Sequence, residues 1–161
     1  MIARTVIYDT GMLVALLRAE PAARLLHHGL CAAPHRPVII GPVVAQAWRP
    51  DAKTVHAFSR YLRDCTVLQA RDAASPIQGG ASVPAGCVAC AKAFTLDSYK
   101  RAGAMLAAAK FPAKKRPDVI DALVVIAAAV HVPALILTSD PEDIRAYAAT
   151  LGRADILVEQ I

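Results

Sequence analysis

Short apolar runs that alternate with helical segments constrain the fold of this chain more than any other feature. The runs lie at residues 5–8, 37–41, 66–69, 134–137 and 156–161. Short apolar runs bounded by turn residues are typical of strands buried within a sheet, and helices between such strands let them run parallel. The pattern therefore predicts an α/β fold with a mainly parallel central sheet.

Helices are predicted between and after these strands. Apolar periodicity and turn residues place them at residues 12–18, 21–30, 42–48, 51–63, 96–109, 118–130 and 142–151. Residues 118–130 are apolar nearly all round, so this helix is predicted to be buried. Residues 73–93 hold several Gly and Pro residues and indicate an insertion or long loop. With 161 residues and no obvious internal repeat, one domain spanning residues 1–161 is the simplest organisation.

The charge and hydropathy of the chain limit its expected location and partners. The formal net charge is +5 and the pI is near 9.2, which permits a polyanionic partner. The longest apolar stretch, residues 119–137, is interrupted by Asp121, His131 and Pro133, so no membrane span is expected. The start of the chain does not resemble a signal peptide, because Asp9 interrupts its apolar run. We therefore expect a soluble, cytoplasmic protein.

Of four cysteines, only Cys87 and Cys90 have the spacing of metal ligands. A structural zinc site usually takes two such pairs, and a redox pair usually follows a strand and opens a helix. The segment around Cys87 and Cys90 is rich in Gly, Pro and Ala instead. We therefore expect the cysteines to be free thiols.

Acidic residues fall where the predicted strands end. Asp9 follows the first strand, and Asp140 follows the strand at residues 134–137. Asp118 and Asp121 open the buried helix that leads into that later strand. The carboxyl ends of parallel strands and the amino ends of their helices share one edge of a sheet, where functional groups gather. We therefore expect these carboxylates to converge.

Each acid also has a purely structural explanation. Asp118 and Asp121 match a capping pair at a helix start, and Asp140 could cap the helix after it. Asp9 could be a turn residue. These explanations do not account for acids on several elements meeting at one sheet edge.

Gathered carboxylates repel one another unless a cation joins them, and oxygen ligands suit Mg²⁺ or Mn²⁺. An acidic metal site in a basic protein indicates hydrolysis of phosphodiesters.

Four segments resemble the PIN-domain family, in particular the VapC-type toxins of bacterial toxin–antitoxin pairs. They are "VIYDTGMLVALL", "PVVAQAWR", "DALVVIAAA" and "LILTSDPEDI", in that order along most of the chain. The resemblance implies a PIN-like three-layer α/β/α fold with an acidic pocket that holds Mg²⁺ or Mn²⁺ and cuts RNA.

The resemblance also implies roles for individual residues. Asp9, Asp121 and Asp140 match the family's metal-binding, catalytic acids. The residues that match flanking hydroxyls or supporting acids are Thr10, Thr138, Asp118 and Asp143. Gln46 stands where the family usually has Glu, so this position brings an amide without charge; Asp118 is placed to compensate.

Basic residues form two groups. Arg49, Lys53, His56, Arg60 and Arg63 are spaced 4, 3, 4 and 3 residues apart, which places them in one stripe on a helix. Basic residues also crowd the segment before the acidic helix. A solvated face is the usual explanation of such patterns, but a nuclease site needs flanking cations. The residues predicted to contact RNA are Arg49, Lys53, Arg60, Arg63, Lys114, Lys115 and Arg116.

These features predict a metal-dependent endoribonuclease, the toxin of a VapBC-type pair, with Mg²⁺ or Mn²⁺ as cofactor. The expected partners are RNA, a small VapB-like antitoxin and a second copy in a homodimer. The alternative is a catalytically weakened PIN-like RNA-binding or regulatory module, which Gln46 favours. A phosphatase is disfavoured by the lack of a DxDxT run after the first strand. A receiver domain is disfavoured because no second acid stands beside Asp9.

Overall fold

A five-stranded parallel sheet organises the chain in the computed structural model, which describes residues 4–32, 36–68, 94–112 and 114–161. The strands are β1 (Thr5–Tyr8), β2 (Val38–Ile40), β3 (Thr66–Leu68), β4 (Ala134–Thr138) and β5 (Ile156–Gln160). Their order is β3-β2-β1-β4-β5, and every pairing among them is parallel. The predicted α/β fold with a parallel central sheet is confirmed.

The order of the strands creates a switch point between β1 and β4. From β1 the chain passes outward to β2 and β3, then returns to the other side of β1 to form β4 and β5. Tyr8 pairs with Leu137 at the carboxyl ends of β1 and β4, and the next amide, Asp9 N–H, donates to Leu137 O at 3.1 Å. Neighbouring strands whose connections run in opposite directions leave a crevice beyond their carboxyl ends.

Seven α-helices and one short 3₁₀-helix lie in the described part of the chain. The α-helices are α1 (Thr10–Leu17), α2 (Pro21–Cys31), α3 (Gly41–Ala47), α4 (Ala52–Tyr61), α5 (Leu96–Ala108), α6 (Val119–Val130) and α7 (Pro141–Thr150). The 3₁₀-helix, Leu62–Asp64, follows α4. Each predicted helix limit agrees with the structure within two residues. The predicted insertion at residues 73–93, with Cys87 and Cys90, lies outside the described residues.

The helices form two groups that pack against the middle of the sheet. In the first, α1 contacts α2, α3 and α4; in the second, α5, α6 and α7 contact one another. Both α1 and α6 also contact β1 and β4, which is consistent with a three-layer α/β/α arrangement. Every side chain from Ala122 to Ala128 is buried, so the prediction of a buried α6 is confirmed. Among the described residues, no helix combines the length and hydropathy that a membrane span requires.

Candidate metal centre at the carboxyl end of the sheet

Asp9 is a buried carboxylate at the switch point. It follows β1 directly and is 5% exposed. Its Oδ2 accepts a hydrogen bond from Thr138 Oγ1 at 2.7 Å and a longer one from Gly11 N–H at 3.5 Å. Its Oδ1 is buried and has no hydrogen-bond partner among the described residues. A buried carboxylate oxygen without a partner is costly, so this atom is a candidate ligand for a cation.

The approach of α1 to the end of β4 depends on Gly11. A Cβ atom built on Gly11 would lie 2.2 Å from Ser139 Oγ and 2.6 Å from Ser139 N, so a side chain at this position would force the two segments apart. Thr138, which is fully buried, then links both segments. Its Oγ1 donates to Asp9 and accepts from Asp140 N–H at 3.0 Å. Asp9 and the backbone at Asp140 are thereby held together.

Asp118 is the N-cap of α6 and takes part in three hydrogen bonds there. Its Oδ1 accepts from Ile120 N–H at 2.8 Å, which confirms the predicted capping role. Its own N–H donates to the Tyr147 hydroxyl at 2.9 Å, so α7 holds the start of α6 in place. Its Oδ2 accepts from Gln46 Nε2 at 2.9 Å. Capping and membership of the acidic site are therefore compatible in one side chain.

Asp121 lies in the first turn of α6, where several negative charges meet. Burial first, and then the carboxylates of Asp9, Asp118, Asp143 and Asp140 in that order, together raise its pKa to about 8. Burial also raises the pKa of Asp9, with a smaller contribution from Asp118. Without a cation these carboxylates are unfavourably charged, because burial disfavours their ionised form first and the neighbouring negative charges disfavour it further. The five acids form one cluster, named here the carboxylate cluster.

Asp140 and Asp143 share a lysine. Lys115 Nζ lies 2.8 Å from Asp140 Oδ2 and 2.7 Å from Asp143 Oδ1. Hydrogen bonds to these two carboxylates raise the pKa of Lys115. Although Asp140 stands at the N-cap of α7, its side chain makes no capping hydrogen bond. The alternative that Asp140 serves as a helix cap is therefore wrong for its carboxylate.

Gln46 connects α1 to α6 through both ends of its amide. Thr10 Oγ1 donates to Gln46 Oε1, and Gln46 Nε2 donates to Asp118 Oδ2. An ionised carboxylate only accepts hydrogen bonds, so the amide nitrogen has to face Asp118. In this arrangement the carbonyl oxygen is already engaged by Thr10. Gln46 therefore acts as a donor toward the carboxylate cluster, where a Glu would add negative charge.

The predicted basic stripe is exposed but divides between two cavities. Arg49 and Lys53 line a cavity of about 340 Å³ together with Gln46, and Arg18 of the α1 C-terminus lines it too. Arg60 lines a different cavity. Arg63 is exposed, and its Nε donates to Ser59 O. Arg49 and Lys53 are therefore the residues of the stripe that lie next to the carboxylate cluster.

The structure brings the predicted acids together, while their roles in catalysis stay predictions. Lys115 was predicted to contact RNA, but it is paired within the cluster; Lys114 and Arg116 are exposed beside it. Three neighbours of the site were not predicted from the sequence: Arg18, Tyr147 and Ser139. In the sequence, Tyr147 is recognisable only as part of an apolar helix face. No sequence pattern predicts that Lys115 pairs with residues 140 and 143. A buried, unpartnered Asp9 Oδ1 beside carboxylates that interact with it electrostatically offers oxygen ligands of the kind that Mg²⁺ and Mn²⁺ prefer. In the described part of the chain, no three of these acids place ligand oxygens within 4.8 Å of one another, so their side chains would have to move closer around an ion.

Comparisons of the chain with protein-family models, with curated proteins and with solved structures found no match.

Proposed function

We propose that this chain is a metal-dependent endoribonuclease of PIN-domain type, acting as the toxin of a VapBC-like pair in the cytoplasm. One observation carries the proposal: Asp9 Oδ1 is buried without a partner among the described residues, in a cluster with four other carboxylates. Such a cluster is stable only when a proton or a cation offsets its charge. The sequence resemblance supplies the substrate class, and the net charge of +5 favours a polyanion.

In the proposed mechanism, Asp9, Asp121 and Asp140 would hold Mg²⁺ or Mn²⁺. Such an ion would supply an activated water for attack on phosphorus and positive charge for the phosphoryl oxygens. Thr138 fixes the rotamer of Asp9 by donating to Oδ2, which leaves Oδ1 for the ion. Asp118 stays bound to Gln46 and to the α6 backbone, and so supports the site from outside. Lys115 offsets part of the charge of Asp140 and Asp143.

A cleavage assay tests the proposal directly. Single-stranded RNA incubated with the purified protein is expected to yield new ends with Mn²⁺ or Mg²⁺ and none with EDTA. Asp140→Asn is expected to abolish the new ends without unfolding the protein, because the Asp140 side chain makes no helix-capping bond. Cleavage that persists in EDTA would contradict a metal-dependent mechanism.

A second candidate function is RNA binding without cleavage, and Gln46 favours it. The amide donates to Asp118 and its carbonyl oxygen is engaged by Thr10, so this position brings no anionic ligand. RNA binding and a Mn²⁺-dependent rise in melting temperature, without new RNA ends, would support this candidate over the nuclease.

Replacing Gln46 by Glu is expected to separate the two candidates. Without metal, the new carboxylate faces Asp118 Oδ2 at the place of a 2.9 Å hydrogen bond, so the melting temperature should fall by roughly 3–10 °C. With Mn²⁺ the added charge should tighten binding at least about tenfold, since ligand charge sets affinity in oxygen sites. Thermal melts in EDTA and in a Mn²⁺ series measure both effects.

Gln46→Ala is the matched control, because it removes both hydrogen bonds and adds no charge. Its metal-free melting temperature should also fall, but its Mn²⁺ affinity should not increase. Equal Mn²⁺ affinity in Gln46→Glu and the unmodified protein would indicate that Asp118 already supplies the charge of the missing Glu.

The basic residues beside the site are expected to contact phosphates. Replacing Arg49 and Lys53 by Gln should weaken RNA binding and reduce the slope of log K against log salt by about 0.7 for each lost contact. Arg60 and Arg63, replaced by Gln in the same way, are the matched control, since Arg60 lines a different cavity. Slopes equal to that of the unmodified protein in both double variants would indicate that the whole stripe is a solvated face, whereas equally reduced slopes would indicate that Arg60 and Arg63 contact RNA as well.

The proposed protein partners, a small VapB-like antitoxin and a second copy in a homodimer, rest on the sequence resemblance. A small gene beside this one, encoding a DNA-binding segment, would support the antitoxin. Co-expression followed by purification of a complex, together with inhibition of RNA cleavage by that partner, would test it.

A further inference from the structure

A second group of potential metal ligands lies in α2 and in the 3₁₀-helix after α4. His27 and Cys31 are one turn apart on α2, and Asp64 ends the 3₁₀-helix. One ligand atom from each residue lies within 4.8 Å of the others. His27 Nε2 is 3.5 Å from Cys31 Sγ and 3.8 Å from Asp64 Oδ2. This group, the His27–Cys31–Asp64 cluster, shares no residue with the carboxylate cluster.

These separations are close to those of ligands around a tetrahedral zinc ion. Zinc–nitrogen, zinc–oxygen and zinc–sulfur bonds of about 2.0–2.3 Å place neighbouring ligand atoms about 3.4–3.6 Å apart. The distance from His27 Nε2 to Cys31 Sγ already lies in that range, and the distance to Asp64 Oδ2 exceeds it by only a few tenths of an ångström. Imidazole, thiolate and carboxylate together suit Zn²⁺, whereas Mg²⁺ prefers oxygen ligands alone.

His27 is oriented as a ligand by Tyr8. The Tyr8 hydroxyl lies 3.0 Å from His27 Nδ1, and Tyr8 is fully buried while His27 is 5% exposed. When Nδ1–H donates to this hydroxyl, Nε2 is the ring nitrogen with the free lone pair. Cys31 Sγ lies 3.5 Å from Nε2 and 3.7 Å from Nδ1, so the Cys31 side chain has to turn toward Nε2 to meet an ion there. Metal-binding histidines are commonly held in this way by a partner on the other ring nitrogen.

The cluster opens to solvent through a cavity of about 460 Å³, which His28, Arg24 and Arg60 also line. The Asp64 side chain is 52% exposed, so an ion has a path of entry. A zinc ion with one thiolate and one carboxylate is electrically neutral overall, so the neighbouring arginines do not strongly oppose it.

We propose that His27, Cys31 and Asp64 bind Zn²⁺, with a fourth position that water or His28 fills from the cavity. Binding replaces the thiol proton of Cys31, which passes to solvent. The site is independent of the proposed nuclease activity, because none of its ligands belongs to the carboxylate cluster.

Cobalt substitution tests the proposal. Co²⁺ reports thiolate ligation through a sulfur-to-metal charge-transfer band that oxygen-only sites lack. The experiment uses the full chain carrying Cys87→Ser and Cys90→Ser, because those two thiols are the competing source of such a band. We expect the band to remain in that protein and to vanish when Cys31→Ser is added. We also expect it to remain in Asp9→Asn, whose change lies in the carboxylate cluster.

Zn²⁺ affinity, measured by competition with a chromophoric chelator, provides the second readout. Asp64→Asn is expected to weaken Zn²⁺ at least about tenfold, and it should fold normally because Asp64 is half exposed. Tyr8→Phe removes only the hydroxyl behind His27 and should weaken Zn²⁺ about 10–100-fold. No charge-transfer band in the Cys87→Ser, Cys90→Ser protein, or a band that survives Cys31→Ser, would overturn the proposal. Unchanged affinity in Asp64→Asn would remove Asp64 as a ligand and overturn the three-residue site.

Discussion

Asp9→Asn is expected to abolish the stabilisation of this protein by Mn²⁺ and, with it, RNA cleavage. At a Mn²⁺ concentration about 100 times the dissociation constant, a native-state ligand adds about 2.7 kcal/mol to the free energy of unfolding. For a chain of this length that corresponds to a rise in melting temperature of roughly 5–10 °C. Asn can still accept the hydrogen bond from Thr138, but its NH₂ group then takes the place of Oδ1 and cannot bind a cation.

Asp155→Asn is the matched control for Asp9→Asn. Asp155 O accepts from Ala134 N–H at the start of β4, so this acid lies at the opposite edge of the sheet. Its carboxylate is paired with Arg153 on the surface. We expect Asp155→Asn to retain the full Mn²⁺ shift, measured by thermal melts in EDTA and in a Mn²⁺ series. An unchanged Mn²⁺ shift in Asp9→Asn would contradict the assignment of Asp9 as a ligand.

Asp121→Asn is expected to stabilise the metal-free protein at alkaline pH. The pKa of Asp121 is raised to about 8 from 3.8, so between these values the native state holds a proton that the unfolded state has lost. Stability therefore falls as pH rises through this window, by up to about 1.4 kcal/mol per pH unit. Asn does not titrate, so the stability of Asp121→Asn does not fall with pH for this reason. From pH 6 to 8 in EDTA, its melting temperature should fall several degrees less than that of the unmodified protein.

Mn²⁺ is expected to reverse the order of stability of the unmodified protein and Asp121→Asn. Mn²⁺ favours the ionised carboxylates, so the unmodified protein should gain stability from Mn²⁺ at pH 8 while Asp121→Asn gains little or none. Asp118→Asn is the matched control on the same helix, because Asn keeps a good N-cap and Asp118 is placed as a supporting acid. It should retain Mn²⁺ binding. Parallel pH curves for the unmodified protein and Asp121→Asn in EDTA would show that Asp121 ionises normally.

The sequence predicted the sheet and helices well because their signals are local. Buried strands need apolar residues over four or five positions, and helix ends need caps and turn residues. Parallel strands place their carboxyl ends at one edge, so Asp9 and Asp140 could be assigned to the same region. The capping role of Asp118 followed from its position before an apolar helix.

The pairings within the site were decided by tertiary structure alone. Gln46 and Asp118 are 72 residues apart, and Lys115 and Asp140 are 25 apart. Which donor meets which carboxylate depends on how the helices pack and which rotamers that packing allows. No spacing along the chain encodes this. Lys115 was therefore assigned to RNA by its charge, whereas the fold pairs it with two acids.

The two metal sites proposed for this protein differ in how far the sequence could predict them. Asp9, Asp121 and Asp140 follow strand and helix ends, so the sequence by itself determined that they could converge. His27 and Cys31 carry only a one-turn spacing on α2, and their third partner, Asp64, arrives from another helix. The unpartnered Oδ1 of Asp9 and the orientation of His27 by Tyr8 exist only after the elements pack, because burial and hydrogen-bond geometry are properties of the folded chain.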